Sequence, residues 1–196
     1  MGRMQAQLPK NLDTQRLFLR PYDVGDAQLL YSAGQRNHIH LSLYESGNFI
    51  LQIKDKEHAE TIIKDLISSW QKSTYFFYGL FEKETGDWAG QIYLGPANMD
   101  LPEFVIGYIA DVDHEGMGYV TEAVKEIIRM LFVEQGTHRV RADCNETNFR
   151  SWRLLERCGF KREGHLRENK VNPDGSYHGD YLYAMLKSDF FQRLEK

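Results

Sequence analysis

Residues 56–71, KEHAETIIKDLISSWQ, set Ile62, Ile63, Leu66, Ile67 and Trp70 at helical spacing on a charged background. That is the apolar stripe of an amphipathic helix made to lie on a sheet. TQRLFLRPY (14–22) alternates Leu17 and Leu19 with Arg16, Phe18 and Arg20, the period of a strand, and Pro21 ends it. DVGDAQLLYSAGQ (23–35) opens on Asp23, a good cap, and predicts a short helix; residues 36–54 read as irregular. TYFFYGLFE (74–82) and DWAGQIYLGPA (87–97) predict two strands of a hairpin. Gly86 stands in the turn, where a left-handed residue is wanted. EFVIGYIAD (103–111) is a third strand, followed by a helix over 119–134 that Gly136 stops. HRVRADC (138–144) alternates again. NFRSWRLLERC (148–158) is a second amphipathic helix, capped by Asn148 and stopped by Gly159. FKREGHLREN and SYHGDYLYAMLKS predict two last strands around NPDG (172–175). The order is that of one mixed α/β domain over 14–190, with an extension at 1–13 and a tail at 191–196.

Composition narrows the function. The chain has 196 residues, 42% hydrophobic and 27% charged, enough for a full core without staples. A net charge of -4 argues against a direct nucleic-acid partner. Cys144 and Cys158 have no metal-like spacing and read as reduced core thiols. MGRMQAQLPKNL (1–12), with Met4 as an alternative start, carries no apolar leader, and no segment is long enough to span a membrane. A cytoplasmic location is expected.

The candidate chemistry lies in DHEGMGYVTEA (113–123), where Gly116 and Gly118 open a helix directly after a strand. A helix N-terminus presents unpaired N–H groups and partial positive charge, and glycines let an anion approach. The same glycines also suit a tight turn with no ligand. A Walker loop needs Gly-Lys-Ser/Thr, but Tyr119 and Val120 follow Gly118. A dinucleotide fingerprint needs a glycine at Thr121. A diphosphate held by bare backbone without metal remains, and coenzyme A carries one.

At this point the chain resembles the GNAT acetyltransferases, in the RimJ/RimL-like branch that includes the ribosomal-protein N-terminal alanine acetyltransferases. The resemblance rests on LFLRPYDVGDA (17–27), IGYIADVDHEGMGYVTEAV (106–124), HRVRADCNETNFRSWRLLERCGFKREGHLRE (138–168) and DGSYHGDYLYAML (174–186). It implies a GNAT fold: a twisted, mostly antiparallel sheet of about seven strands with helices on both faces. Its fourth and fifth strands, here 103–111 and 138–144, splay apart. The pantetheine arm of acetyl-CoA pairs with the exposed edges, because buried backbone groups need partners. No metal is implied.

The resemblance also assigns residues. A strand N–H near Ile109 or Ala110 polarises the thioester carbonyl, and Val112 also belongs to the donor's site. Gly116, Met117, Gly118, Tyr119, Val120 and Thr121 hold the diphosphate. Asn148 bonds the pantetheine arm, and Arg150 and Arg153 reach the adenosine phosphate. Ser151 serves the departing sulfur as well as the donor's binding. Where the family carries Arg or Gln and a small residue, this chain has Glu115 and Val120, so Glu115 is expected to point away. The proton acceptor is open: Val105 replaces a Glu found in some relatives, Lys170 another, and Glu103 is the nearest substitute on the same strand face. Ser151 also fits a plain first-turn serine, and Asn148 a plain cap. His178 and Asp180 are candidates for the acceptor pocket. His38 and His40 lack a third zinc ligand. The implied reaction is acetyl transfer from acetyl-CoA to a primary amine, on a protein N-terminus or a small molecule, by direct attack in a ternary complex. The rival is a non-catalytic CoA-binding sensor, and a homodimer is left open.

Overall fold

The computed structural model describes residues 7–44, 47–98, 100–172 and 174–195. Met4, the first part of the 1–13 extension, Pro173 of the expected turn and the last residue of the tail lie outside them. Eight strands form one sheet in the order β1-β2-β3-β4-β5-β6-β8-β7. They are β1 Leu12–Asp13, β2 Leu17–Arg20, β3 Phe76–Glu82, β4 Trp88–Asn98, β5 Glu103–Ala110, β6 Arg139–Asn145, β7 Lys161–Val171 and β8 Tyr177–Leu186. The helices are α1 Ala27–Tyr44, α2 Lys56–Gln71, α3 Tyr119–Arg129, α4 Phe149–Cys158 and α5 Lys187–Leu194. The extra strand is β1, inside the expected extension, and the expected boundary at 190 falls inside α5.

Two compact units share the chain: the described residues up to Gly95 with Tyr108–Glu126, and Pro96–Gly107 with the described residues from Ile127 onward. In the first, Leu30, Ala33 and Leu41 of α1 and Ala59 and Ile63 of α2 bury against Tyr22, Trp88 and Ile109. The irregular stretch expected at 36–54 is corrected in part, because α1 continues to Tyr44. Its buried stripe runs Leu30, Ala33, Gly34, Asn37, Leu41. A glycine and an asparagine in that stripe hide the helix from a hydrophobicity pattern. Gly34 is there because a Cβ would stand 2.6 Å from the Ile50 carbonyl oxygen.

Gly90 of β4 is fixed by the same kind of crowding. Its φ is 147°, and a Cβ would lie 2.3 Å from the carbonyl oxygen of Ile109 on β5. Both the strain and the clash fall on backbone that cannot yield cheaply. Gly90→Ala is expected to destabilise the fold by about 2–3 kcal/mol, read as a lowered urea midpoint with unchanged slope.

In the second unit β6 pairs with β8 along its whole length, Arg139↔Leu186 to Asn145↔Asp180. With β5 it pairs in parallel only over Glu103↔Arg139, Phe104↔Val140 and Val105↔Arg141. The ladder therefore stops where the splay is expected. α4 is capped as the sequence predicts: Ser151 N donates to Asn148 Oδ1 at 3.2 Å, and Gly159 ends the helix at φ 101°. α5, which hydrophobicity alone did not announce, is held by Asp189, whose Oδ2 accepts from Leu186 N at 3.1 Å.

Candidate functional site

β5 delivers the chain to the glycine loop, and Asp111 fixes the exit. The residue is fully buried. Its carboxylate accepts from Arg36 Nε and Nη2 at 2.9 and 3.0 Å and from Asn37 Nδ2 at 2.6 Å, and pairs with His114 Nδ1 at 2.9 Å. Asn37 Oδ1 takes the N–H of Val112 at 2.8 Å. Burial pushes the Asp111 carboxyl up, but the bonds from Arg36, Asn37 and His114 outweigh it and hold it below its ordinary value.

Past a 3-10 turn at Val112–His114, Gly116 and Gly118 adopt φ of 79° and 80°. Nothing lies within 4 Å of where a Cβ on Gly116 would be, and at Gly118 only Arg16 Nη2 comes within 3.5 Å. The glycines are thus required by backbone conformation, and they leave the loop's face open. The first bond of α3 runs from Glu122 N to Gly118 O at 3.0 Å. The N–H groups just before it have no carbonyl inside the helix to accept them. Tyr119 and Val120 turn their side chains into the interior, 6% and 8% exposed, while Met117 is half exposed. Val120 in place of a small residue therefore packs inward. Glu115 does point elsewhere: its Oε1 stands 3.2 Å from His40 Nε2 of α1.

Arg16, which no local pattern singles out, stands beside the loop as the ion-pair partner of Glu122. Its Nε donates to Glu122 Oε2 at 2.7 Å and its Nη1 to the Met117 carbonyl at 2.9 Å, and its guanidinium lies 4.5 Å from the Tyr119 ring centre. Glu122 in the first turn of α3 also accepts from Thr14 Oγ1 at 2.6 Å and Arg16 N at 2.8 Å. Only tertiary proximity joins residue 16 to residue 117, so no local signal exists for it.

On β5, Asp111 N donates to Ala89 O at 3.0 Å, and the Ile109 carbonyl faces Gly90. Strand alternation then turns the N–H of Ala110 toward the edge away from β4. Of the two backbone donors expected at the thioester, Ala110 is the one that faces away from β4. Val112, with its N–H bonded to Asn37, presents an exposed side chain.

In the second unit, Asn148 spends its Oδ1 on the cap of α4, which leaves its amide N–H groups for other work. Asn145 is buried and accepts from Thr147 N and Oγ1 at 2.8 and 2.7 Å, a turn-forming role. Ser151 hydrogen-bonds the Cys144 thiol, and burial is the main cause that pushes that thiol up to about 12. Arg150 and Arg153 are exposed, and Arg153 lies 5.3 Å from the ring centres of both Phe149 and Trp152. Glu103, expected as a proton acceptor, is occupied otherwise. Its Oε1 accepts from Arg139 Nε at 2.8 Å where β5 and β6 still pair, and Arg139 also binds Glu163. The ion pair with Arg139 engages the Glu103 carboxylate within the β5–β6 ladder. His178 and Asp180 are both buried in this unit.

The two histidines at 38 and 40 sit on α1, about 200° apart around a helix, and cannot share a ligand. Elsewhere, Glu82, Asp87 and His114 bring ligand atoms within 4.8 Å of one another. Glu82 already bonds Tyr119 and Thr85, and His114 bonds Asp111, so the group reads as polar packing around the loop. Among the described residues no helix is long and apolar enough to cross a membrane.

Comparison with known proteins bears on this geometry. The family model described as "Acetyltransferase (GNAT) domain" matches residues 16–161. The "Probable N-acetyltransferase YjcK" of Bacillus subtilis is 32% identical over 120 residues, which cover 61% of this chain and 66% of that relative's own length. The "[Ribosomal protein uS5]-alanine N-acetyltransferase" of Escherichia coli is 26% identical, with 95% of this chain and 96% of that one covered. Among solved structures, Mycobacterium smegmatis RimJ in complex with CoA-disulfide superposes with a TM-score of 0.81 at 22% identity, covering 92% of this chain and 89% of that one.

Proposed function

Because the chain belongs to the GNAT acetyltransferase family, we propose that it transfers an acetyl group from acetyl-CoA to a primary amine. The observation that supports this most is the loop: two left-handed glycines open the start of α3 to an anion, with Arg16 beside them and Glu115 turned aside onto His40. In this reading Gly116–Thr121 offer backbone N–H groups to the donor's diphosphate. The Ala110 N–H polarises the thioester carbonyl. The Asn148 amide bonds the pantetheine arm, and Ser151 serves the departing sulfur. Arg150 and Arg153, exposed on the first turns of α4, are assigned to the adenosine phosphate. The relatives' names support an amine at a protein N-terminus, and a small amine is the second acceptor class.

Direct attack is favoured over an acyl-enzyme because the Cys144 thiol is buried and held near pKa 12, where thiolate is negligible at neutral pH. Cys144→Ala is expected to keep kcat within about threefold of the parent. Burst-free thiol release in both proteins would agree, and a stoichiometric burst would mean a covalent intermediate.

The test of the function is calorimetry with acetyl-CoA, followed by thiol release across amines that include an N-terminal ribosomal-protein peptide and polyamines. Binding with release supports the transferase. Binding without release from any amine favours a sensor, and absence of binding removes both readings.

A further inference from the structure

Two polar side-chain atoms are stranded where β6, β8 and β7 meet. His178 is 9% exposed and Asp180 4%. Among the described residues, His178 Nδ1 and Asp180 Oδ1 have no hydrogen-bond partner. Buried polar atoms are nearly always satisfied, so a pair of orphans calls for a ligand. The two residues alternate with Gly179 on β8 and share one strand face. The other face carries Tyr183, whose hydroxyl donates to Glu156 of α4 at 2.9 Å. The pair therefore lies on the opposite face from α4 and Ser151. Asp180 stands directly across from Asn145, beyond the point where β6 loses its ladder partner on the β5 side.

The surroundings are specially built. The β7 register slips between Leu166 and Lys170, and Glu168 is held at φ 49°, a costly conformation for a residue with a side chain. That bulge brings Asn169 Nδ2 to 3.0 Å and Lys170 Nζ to 2.8 Å from Asp180 Oδ2. One oxygen of Asp180 is tied, and the other is left over. Gly179 permits the close approach, since a Cβ there would lie 2.5 Å from the Leu166 carbonyl oxygen.

We propose that His178 Nδ1 and Asp180 Oδ1 receive the N–H groups of the acceptor amine, and that His178 takes the proton the amine must lose. This rests on the acetyl-transfer reading above. A primary amine fits because it offers several N–H donors at one atom to two polar atoms that have no partner among the described residues. Arriving as an ammonium ion, it gives one proton to His178 Nδ1, which later passes it to solvent. The neutral nitrogen attacks the thioester carbon and the N–C bond forms. The C–S bond breaks, its electron pair goes to sulfur, and the second proton of the nitrogen goes to the departing thiolate. The net products are the amide, the free thiol and one proton. Asp180 holds the ammonium, while Lys170 balances the charge of Asp180.

The charged groups around His178 are Asp180 on its own strand, its register partner Lys170 on β7, and Glu146 after β6, which also bonds His165. Thiol release is compared for the parent, His178→Gln, His178→Ala and Asp180→Asn, with an amine the parent acetylates. Acetyl-CoA affinity by calorimetry serves as the check on folding. His178→Gln is expected to lower kcat/KM for the amine about 100-fold, to keep the acetyl-CoA Kd within about twofold, and to lose the acid limb of the pH profile. Added imidazole is expected to restore part of the His178→Ala rate. Asp180→Asn is expected to raise KM for the amine more than it lowers kcat. A His178→Gln rate within about threefold of the parent overturns the inference. So does a loss equal at every pH with no imidazole rescue, which is the signature of a structural role. A parent that binds acetyl-CoA but releases no thiol with any amine overturns the transferase reading itself, a separate outcome.

Discussion

Replacing Gly118 with valine is expected to weaken acetyl-CoA binding about 30–100-fold while the protein still folds. Gly118 holds φ 80°, and a Cβ there meets only the end of the Arg16 side chain, at 3.5 Å. The substitution therefore costs little in packing. Its cost is conformational: an L residue in the left-handed region gives up about 1–2 kcal/mol, more when β-branched. The loop can relieve that strain by turning its N–H groups away from the open side. Each N–H bond to a charged phosphate is worth about 1.5–3 kcal/mol. Losing one to such relaxation gives the expected change, since 1.4 kcal/mol is about tenfold. Calorimetry measures it, and a thermal melt within a few degrees of the parent separates it from unfolding. An affinity within about threefold of the parent would show that the donor's diphosphate does not rest on this backbone.

The largest stability effect is expected at Asp111. Its carboxylate takes bonds from Arg36, Asn37 and His114 with no exposed surface of its own. Asp111→Ala leaves three donors facing a cavity. Removing one partner of a buried charged network costs about 3–5 kcal/mol. Arg36 is 35% exposed and can rehydrate, which favours the lower end. About 3 kcal/mol corresponds to a fall in Tm of roughly 10 °C for a chain of this size. The pH dependence has a definite sign. The folded-state pKa of Asp111 is depressed, so its contribution is full above the ordinary carboxylate value of 3.8 and is lost as pH falls through the depressed pKa. The stability gap between parent and variant should be constant near neutrality and shrink in acid. A gap that widened on acidification would contradict the charged network. Acetyl-CoA binding should fall as well, because Asn37 and Asp111 set where the loop begins.

Much of the fold was legible from local pattern. α2 was readable because Ile62, Ile63, Leu66, Ile67 and Trp70 form an uninterrupted stripe, and the structure adds its cap, Asp55, whose Oδ1 accepts from His58 N at 2.8 Å. The caps of α4 were readable because Asn148 and Gly159 do the work their chemistry suits. The length of α1 was not, because its buried face contains Gly34 and Asn37. Both are explained only by atoms far along the chain, the Ile50 carbonyl and the Asp111 carboxylate.

The site divides the same way. The sequence alone determined the strand, the two left-handed glycines and the helix start, because all three depend on residues within about ten positions of one another. It also set where Asn148 and Ser151 stand on their helix. The tertiary structure decided the charges: that Arg16 joins the loop, that Glu115 turns to His40, that Glu103 pairs with Arg139, and that His178 and Asp180 are left with buried polar atoms that have no partner among the described residues. Backbone preference acts over a few bonds and is written locally. The partner of a charge is whatever the folded chain brings within about 3 Å, and that is written nowhere along the sequence.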